Sequence, residues 1–237
     1  MIHPSDWHHW RHITKLDPDR PFTPTLLETV FASGTDAVVV GGTTGITAPA
    51  VSALLDALRR APVPVALEVS TLDAAMAGVA SLYLIPLVLN TRQAKWLGGA
   101  QAEALSHILP RFGPLIPWSR MLPEAYLVLN PESAVARLTE ADTALSPEQV
   151  AGFAAYACRI LRLPLLYVEY SGAFGDMELL AAAREGAGKA HLVYGGGIRT
   201  PEQAAAAAAH ADTIVVGNLV YADPSRLRET VAAVKEG

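Results

Sequence analysis

The chain has 237 residues, 51% of them hydrophobic and 17% charged, with a formal net charge of −5. That length and apolar content fit one barrel-sized domain over 1–237, and the acidic balance argues against nucleic acid as a general partner. Without an apolar run near the roughly 18 residues a membrane-spanning helix needs, or a basic, apolar leader, a cytoplasmic protein is expected.

Short β-rich runs alternate with Ala- and Leu-rich helical segments along the chain. The runs 12–16 and 36–40 predict two strands, with helices over 25–32 and 48–60. Strands at 65–69 and 82–85 follow, and the short segment 73–81 between them predicts a degenerate third helix. Residues 110–123 contain four prolines and read as a long loop before a strand at 126–129. Beyond it, strands at 165–168, 191–194 and 213–216 alternate with helices over 147–161, 177–185, 201–210 and 224–235. Pro24, Pro147, Pro201 and Pro224 sit near helix starts, where a missing amide is harmless. Several strand candidates are nearly continuous apolar runs, as parallel strands covered on both faces require. The pattern predicts an α/β fold, a closed (β/α)8 barrel, with an open doubly wound sheet as the alternative. Cys158 is the single cysteine, so no internal disulfide is possible, and its apolar surroundings predict a buried thiol.

In such barrels the active site lies at the carboxyl ends of the strands. The first ends Lys15-Leu16-Asp17, with Lys15 and Asp17 on one face. Those charges are costly to bury unless they pair with each other or bind ligand. The second runs into Gly41-Gly42-Thr43-Thr44-Gly45, which can bring a hydroxyl beside Asp17. One carboxylate and one hydroxyl suit Mg²⁺, which keeps waters and leans on substrate phosphates. On the sixth, Tyr167, Glu169 and Ser171 alternate onto one face. Glu169 is there a candidate base or hydroxyl-binding group, or else a member of a barrel-core ion pair. The seventh ends Gly195-Gly196-Gly197-Ile198 before Thr200-Pro201-Glu202 opens a helix, and the eighth ends Val216-Gly217-Asn218. Glycines let backbone amides approach an anion, and a helix N-terminus adds partial positive charge. Two such turns predict a phosphate cradle, although each alone could be a tight turn. The histidines are scattered, and His12 starts the first strand, away from its catalytic end. Trp96 precedes the proline-rich segment and Trp118 lies within it, as packing residues or as walls of an apolar channel.

These motifs resemble, in order and over nearly the whole chain, the PcrB / geranylgeranylglyceryl phosphate synthase family. The resemblance rests on Lys15-Leu16-Asp17-Pro18, Gly41-Gly42-Thr43-Thr44-Gly45, Tyr83-Leu84-Ile85-Pro86, Asn130-Pro131-Glu132-Ser133, Tyr167-Val168-Glu169-Tyr170-Ser171-Gly172, Tyr194-Gly195-Gly196-Gly197-Ile198 and Val216-Gly217-Asn218. It implies a modified TIM barrel with a weak third helix. The implied reaction joins a polyprenyl diphosphate to sn-glycerol 1-phosphate, with Mg²⁺, usually in a homodimer. By motif, Lys15 contacts glycerol phosphate, and Asp17 and Thr43 assist Mg²⁺ and diphosphate. Tyr167, Val168, Glu169, Tyr170, Ser171 and Gly172 form the glycerol-phosphate segment, with Glu169 on the hydroxyls. Gly197, Gly217 and Asn218 match the phosphate cradle. The resemblance also implies a prenyl groove whose floor falls at Ala104; a small residue there leaves room for a heptaprenyl chain, unless Ala104 only packs its helix. A tailed substrate implies transient contact with a membrane surface. The rival readings are a phosphosugar isomerase or aldolase barrel, which shares the paired phosphate loops, and prenyl transfer to another phosphorylated three-carbon acceptor.

Overall fold

The structure, a computed structural model, describes residues 4–71 and 80–236, and the expected degenerate helix at 73–81 lies almost wholly outside them. Eight parallel strands close into a barrel in chain order: β1 (His12–Leu16), β2 (Ala37–Val40), β3 (Val65–Glu68), β4 (Leu82–Val88), β5 (Met121–Val128), β6 (Leu165–Glu169), β7 (His191–Gly195) and β8 (Thr213–Val216). β8 pairs with β1 to complete the ring.

The helices are α1 (Pro24–Ala32), α2 (Ala48–Ala57), α3 (Gly99–Phe112), α4 (Ala134–Thr139), α5 (Pro147–Ala155), α6 (Met177–Ala187), α7 (Pro201–Ala208), α8 (Asn218–Ala222) and α9 (Leu227–Lys235). Prolines open α5 and α7 at their first positions, behind Ser146 and Thr200, whose hydroxyls cap the first turn. The expected helix 147–161 widens after α5 into a π-turn over Tyr156–Ile160, which carries Cys158. That thiol is half-buried rather than fully buried.

Each strand buries both faces. Leu16, Val38, Leu67, Leu127, Val168, Tyr194 and Ile214 pack outward against the helices. Ile13, Val39, Leu84, Tyr126, Tyr167 and Val215 point into the barrel, over Trp10 at its amino-terminal end. The near-continuous apolar runs follow from this double burial.

The segment 110–123 is not a long loop. Pro110 lies inside α3, short 3₁₀ turns cover Gly113–Leu115 and Trp118–Arg120, and β5 begins at Met121. β4 likewise runs three residues past the expected end, through Pro86, and Pro123 pairs with Ile85. Proline normally breaks a central strand because it cannot donate to the ladder. Here neither proline forfeits a bond. The Leu84 carbonyl faces β3, accepting from the Val69 amide, so the position two residues on faces the same side, where β3 has already ended. Tyr126 faces β4 and Leu129 faces β6, so Pro123 faces β6 one position before its pairing starts at Glu124 with Leu165.

Candidate active site

A pocket of about 230 Å³ opens at the carboxyl ends of the strands. Lys15, Asp17, Thr43, Tyr167, Ser171, Gly172, Gly197, Gly217 and Asn218 all line it, brought together from β1, β2, β6, β7 and β8. Val168 and Tyr170 do not. Val168 is fully buried among the outward-facing residues, and Tyr170 packs outside the barrel near Tyr194, with ring centroids 6.1 Å apart. In a strand, alternate side chains take opposite faces, so neighbours of Tyr167 and Glu169 must point away. Ala104 sits half-buried on α3, whose start is tied to β4 by a 2.6 Å bond from Gln101 Nε2 to the Pro86 carbonyl. It is not part of this pocket wall.

The glycine turn after β7 is dictated by crowding. A Cβ on Gly195 would overlap Tyr167 Oη and lie 2.6 Å from its Cζ. Gly197 has φ +54°, and a Cβ there would overlap the Ala173–Phe174 peptide. Backbone therefore forms that wall of the pocket, as an anion cradle requires. Gly217 differs, because a Cβ there would meet only Lys15, at an ordinary 3.8 Å. The helix after the seventh strand contributes less than expected. Thr200 Oγ1 already accepts the Gln203 amide, Pro201 has no N–H, and Gln203 Oε1 accepts the Arg199 amide. The short helix after β8 starts at Asn218 without any side-chain cap, leaving its first amides open at the pocket.

Lys15 and Asp17 do not form an ion pair. Lys15 Nζ donates instead to both carboxylate oxygens of Glu68, at 3.0 and 2.9 Å, with the lysine side chain 18% exposed. Burial alone would lower the lysine pKa, but Glu68 and Glu169 outweigh it and hold the ammonium above its ordinary range. Asp17 Oδ1 accepts the Asp19 amide, while the Tyr221 hydroxyl accepts the Asp17 amide at 2.8 Å. Half-burial raises the Asp17 pKa. Glu169 is only 2% exposed and lies beneath the pocket floor; Oε2 accepts the Tyr126 hydroxyl at 2.7 Å and Oε1 accepts the Ser171 amide. Burial pushes its pKa up against the opposing effects of Lys15, Ser171 and Tyr126. Tyr126 and Tyr167 stack at 4.7 Å, so Glu169 is anchored through a ring whose neighbour lines the pocket.

Sequence reasoning missed Arg20, Tyr221, Glu68 and Glu124. Arg20 lies at the mouth, its guanidinium 4.0 Å from the Tyr221 ring centroid and 3.3 Å from Asn218 Oδ1. Glu68 and Glu124 follow the inward period-two positions of β3 and β5, a signal present in the expected strand 65–69 for Glu68 but hidden for Glu124, which precedes the expected strand 126–129. His12, at the opposite end of β1, is fully buried between the Thr35 and Thr230 hydroxyls, at 3.0 and 3.1 Å.

The chain is similar to known proteins over nearly its whole length. The heptaprenylglyceryl phosphate synthase of Brevibacillus brevis is 47% identical over 230 residues, covering 97% of each chain. That of Geobacillus kaustophilus is 44% identical over 227 residues, 96% of this chain and 93% of the other. Among solved structures, the (S)-3-O-geranylgeranylglyceryl phosphate synthase of Thermoplasma acidophilum, in complex with substrate sn-glycerol-1-phosphate, shares the fold with a TM-score of 0.83 at 24% identity over the full length of both chains. Wild-type GGGPS from Thermoplasma volcanium gives 0.81 at 25%, covering 97% of this chain and 94% of that one. The PcrB family model matches residues 5–235, and the chain belongs to the PcrB family.

Proposed function

We propose that this chain joins a polyprenyl diphosphate to sn-glycerol 1-phosphate, forming an ether and releasing diphosphate. The observation that carries the reading is a single pocket that brings Asp17 and Thr43 together with the open backbone around Gly197, Gly217 and Asn218. In the reaction the glycerol hydroxyl oxygen attacks the allylic carbon, and the carbon–oxygen bond to diphosphate breaks, its electron pair leaving with diphosphate. The amides around Gly197 and Gly217 seat the acceptor phosphate, and Arg20 adds positive charge at the mouth. Glu169, beneath the floor and bonded to Tyr126 and the Ser171 amide, would have to exchange one of those bonds to orient the hydroxyl or accept its proton, and its raised proton affinity favours the second role.

Magnesium suits the donors present. Asp17 keeps Oδ2 free of hydrogen bonds from described residues, and no group of three His, Cys, Asp or Glu gathers among them to make a closed metal site. Asp17 and Thr43 would hold Mg²⁺ together with substrate phosphate oxygens, where it would neutralise the departing diphosphate.

A heptaprenyl donor is the finer reading, supported by the small side chain of Ala104 on α3. No helix among the described residues is long and apolar enough to cross a membrane. Leu109, Phe112, Leu115 and Trp118 are exposed along the segment after β4, which supports transient contact of a cytoplasmic enzyme with a membrane surface. Tyr156, Ile160 and Leu161 form a second exposed apolar stretch, which supports a homodimer. Incubation with glycerol 1-phosphate, Mg²⁺ and prenyl diphosphates of graded length tests the reading. A lipid-soluble ether product is expected, and no product at any length would refute it.

A further inference from the structure

Below the pocket floor, the barrel encloses an ionisable cluster of one cation and three carboxyls: Lys15 from β1, Glu68 from β3, Glu124 from β5 and Glu169 from β6. Two of the carboxyls are fully engaged. Glu68 takes two hydrogen bonds from Lys15, and Glu169 takes those of Tyr126 and Ser171. Glu124 is not. It is 1% exposed, and no hydrogen bond among the described residues reaches its Oε2. With Lys15, Glu68, Trp7, Trp10 and His191 it lines a separate cavity of about 20 Å³, deeper in the barrel than the substrate pocket.

We propose that Glu124 is a positioning residue for Lys15, a proton-bearing carboxyl that leaves the ammonium bound to Glu68 at the floor of the substrate pocket. The inference rests on the function proposed above. Its physical basis is charge balance. Three ionised carboxylates around one ammonium would leave two negative charges buried without a counterion, a large desolvation penalty. Glu124 is the member with the least to lose by protonation, because its charge would stabilise no existing bond. As the neutral acid it carries no charge and does not compete for Lys15. Burial and the neighbouring Glu68 both push its pKa well up. Once ionised, it would repel Glu68 and attract Lys15 toward the cavity, away from the ligand.

The surrounding groups do not produce the same response. Tyr126 and Tyr167 are pushed well above the ordinary phenol range by burial and by Glu169. His191, bonded to Thr213 at 2.7 Å, has its pKa lowered by burial and is neutral above pH 7. Glu169 is also raised, but its two hydrogen bonds favour the ionised form. The phosphate of the ligand is already dianionic above about pH 7.

The test measures glycerol 1-phosphate binding by calorimetry between about pH 7 and pH 10, in the unsubstituted protein and in Glu124→Gln. The unsubstituted protein should lose affinity about tenfold over this range, as one charge-assisted bond is withdrawn, and Glu124→Gln should remain flat. An alkaline loss of the same size in Glu124→Gln would overturn the proposal. So would a flat profile in the unsubstituted protein. Infrared spectroscopy of the protein alone gives a second readout that needs no ligand. A protonated-carboxyl stretch at neutral pH should vanish in Glu124→Gln and persist in Glu169→Gln, and its absence from the unsubstituted protein would sink the idea. No binding of glycerol 1-phosphate at any pH, with the infrared band present, would instead refute the proposed function while leaving the proton on Glu124.

Discussion

Gly195→Ala tests whether Tyr167 is held in place by the missing side chain of the neighbouring strand. The new methyl would overlap Tyr167 Oη and stand 2.6 and 2.9 Å from Cζ and Cε1, so the whole ring must move, not only its tip. Tyr167 is 4% exposed and stacked on Tyr126, so it has nowhere to swing without carrying that partner along. Overpacking of this kind costs about 1–3 kcal/mol. At about 2 kcal/mol the Tm of a chain this long falls by about 4–8 °C. Clearing the methyl requires a ring shift on the order of 1 Å, and a misplacement of that size costs about 100-fold in rate. Because Tyr126 holds Glu169 at 2.7 Å, kcat should fall along with the affinity for the acceptor. The assay is Tm by calorimetry together with kcat and KM for glycerol 1-phosphate, in Gly195→Ala and in the double variant with Tyr167→Phe. Removing the hydroxyl relieves the worst overlap, so the double variant should recover more than half of the Tm loss. A Gly195→Ala protein with unchanged Tm and kcat/KM would refute the reasoning.

Gly217→Val should fold normally, because a Cβ there meets only Lys15 at 3.8 Å, yet weaken glycerol phosphate binding far more than prenyl diphosphate binding; equal losses by calorimetry would mean the cradle lies elsewhere. Asp17→Asn keeps the shape and removes the charge, so turnover should fall and lose its response to added Mg²⁺, whereas full activity at ordinary Mg²⁺ would exclude Asp17 as a ligand. Ala104→Trp should selectively lose the longest prenyl diphosphates, since overlap costs more than lost contact; an unchanged length profile would place the groove away from α3. His12 concerns stability alone: burial holds its imidazole at about 3, below the unfolded value of 6.5. Its contribution is therefore complete above about pH 6.5 and shrinks by about 1.4 kcal/mol per unit as pH falls from there toward 3. Calorimetric stability that stays level from pH 6.5 to 4 would contradict this, and His12→Gln should flatten the slope.

Where the chain could be read in advance, one local rule decided the outcome. The runs at 12–16 and 213–216 match β1 and β8 to the residue, because each is a short apolar stretch with clear boundaries and packing on both faces confirms what composition suggests. Proline misled the reading at 82–85 and 126–129. Pro86 and Pro123 each sit where the neighbouring strand is missing, and which neighbour is missing depends on the stagger of three strands, not on the residues flanking the proline. The pocket was legible for a related reason. Most of its residues lie at the ends of β1, β2, β6, β7 and β8 or in the loops just after them, and barrel closure brings all such positions to one end whatever the intervening helices do.

The buried carboxyls were a different problem. Period-two alternation puts Glu68 in line with Ala66, so its inward direction follows from sequence, whereas Glu124 lay outside the expected strand at 126–129 and falls in line with Leu122 and Tyr126 only because β5 begins at Met121. What either does there does not follow from alternation. Glu68 meets Lys15 across the barrel, between strands that share no ladder, while the nearer Asp17 is two residues from Lys15 in the same chain segment. Proximity in sequence favoured Lys15 with Asp17, but Asp17 stands one layer higher, at the pocket, where its Oδ1 accepts a loop amide. A charge on an inward strand position therefore finds its partner by height in the barrel. Layer height is set by stagger around the ring, so the Lys15–Glu68 pair became visible only once all eight strands were in register.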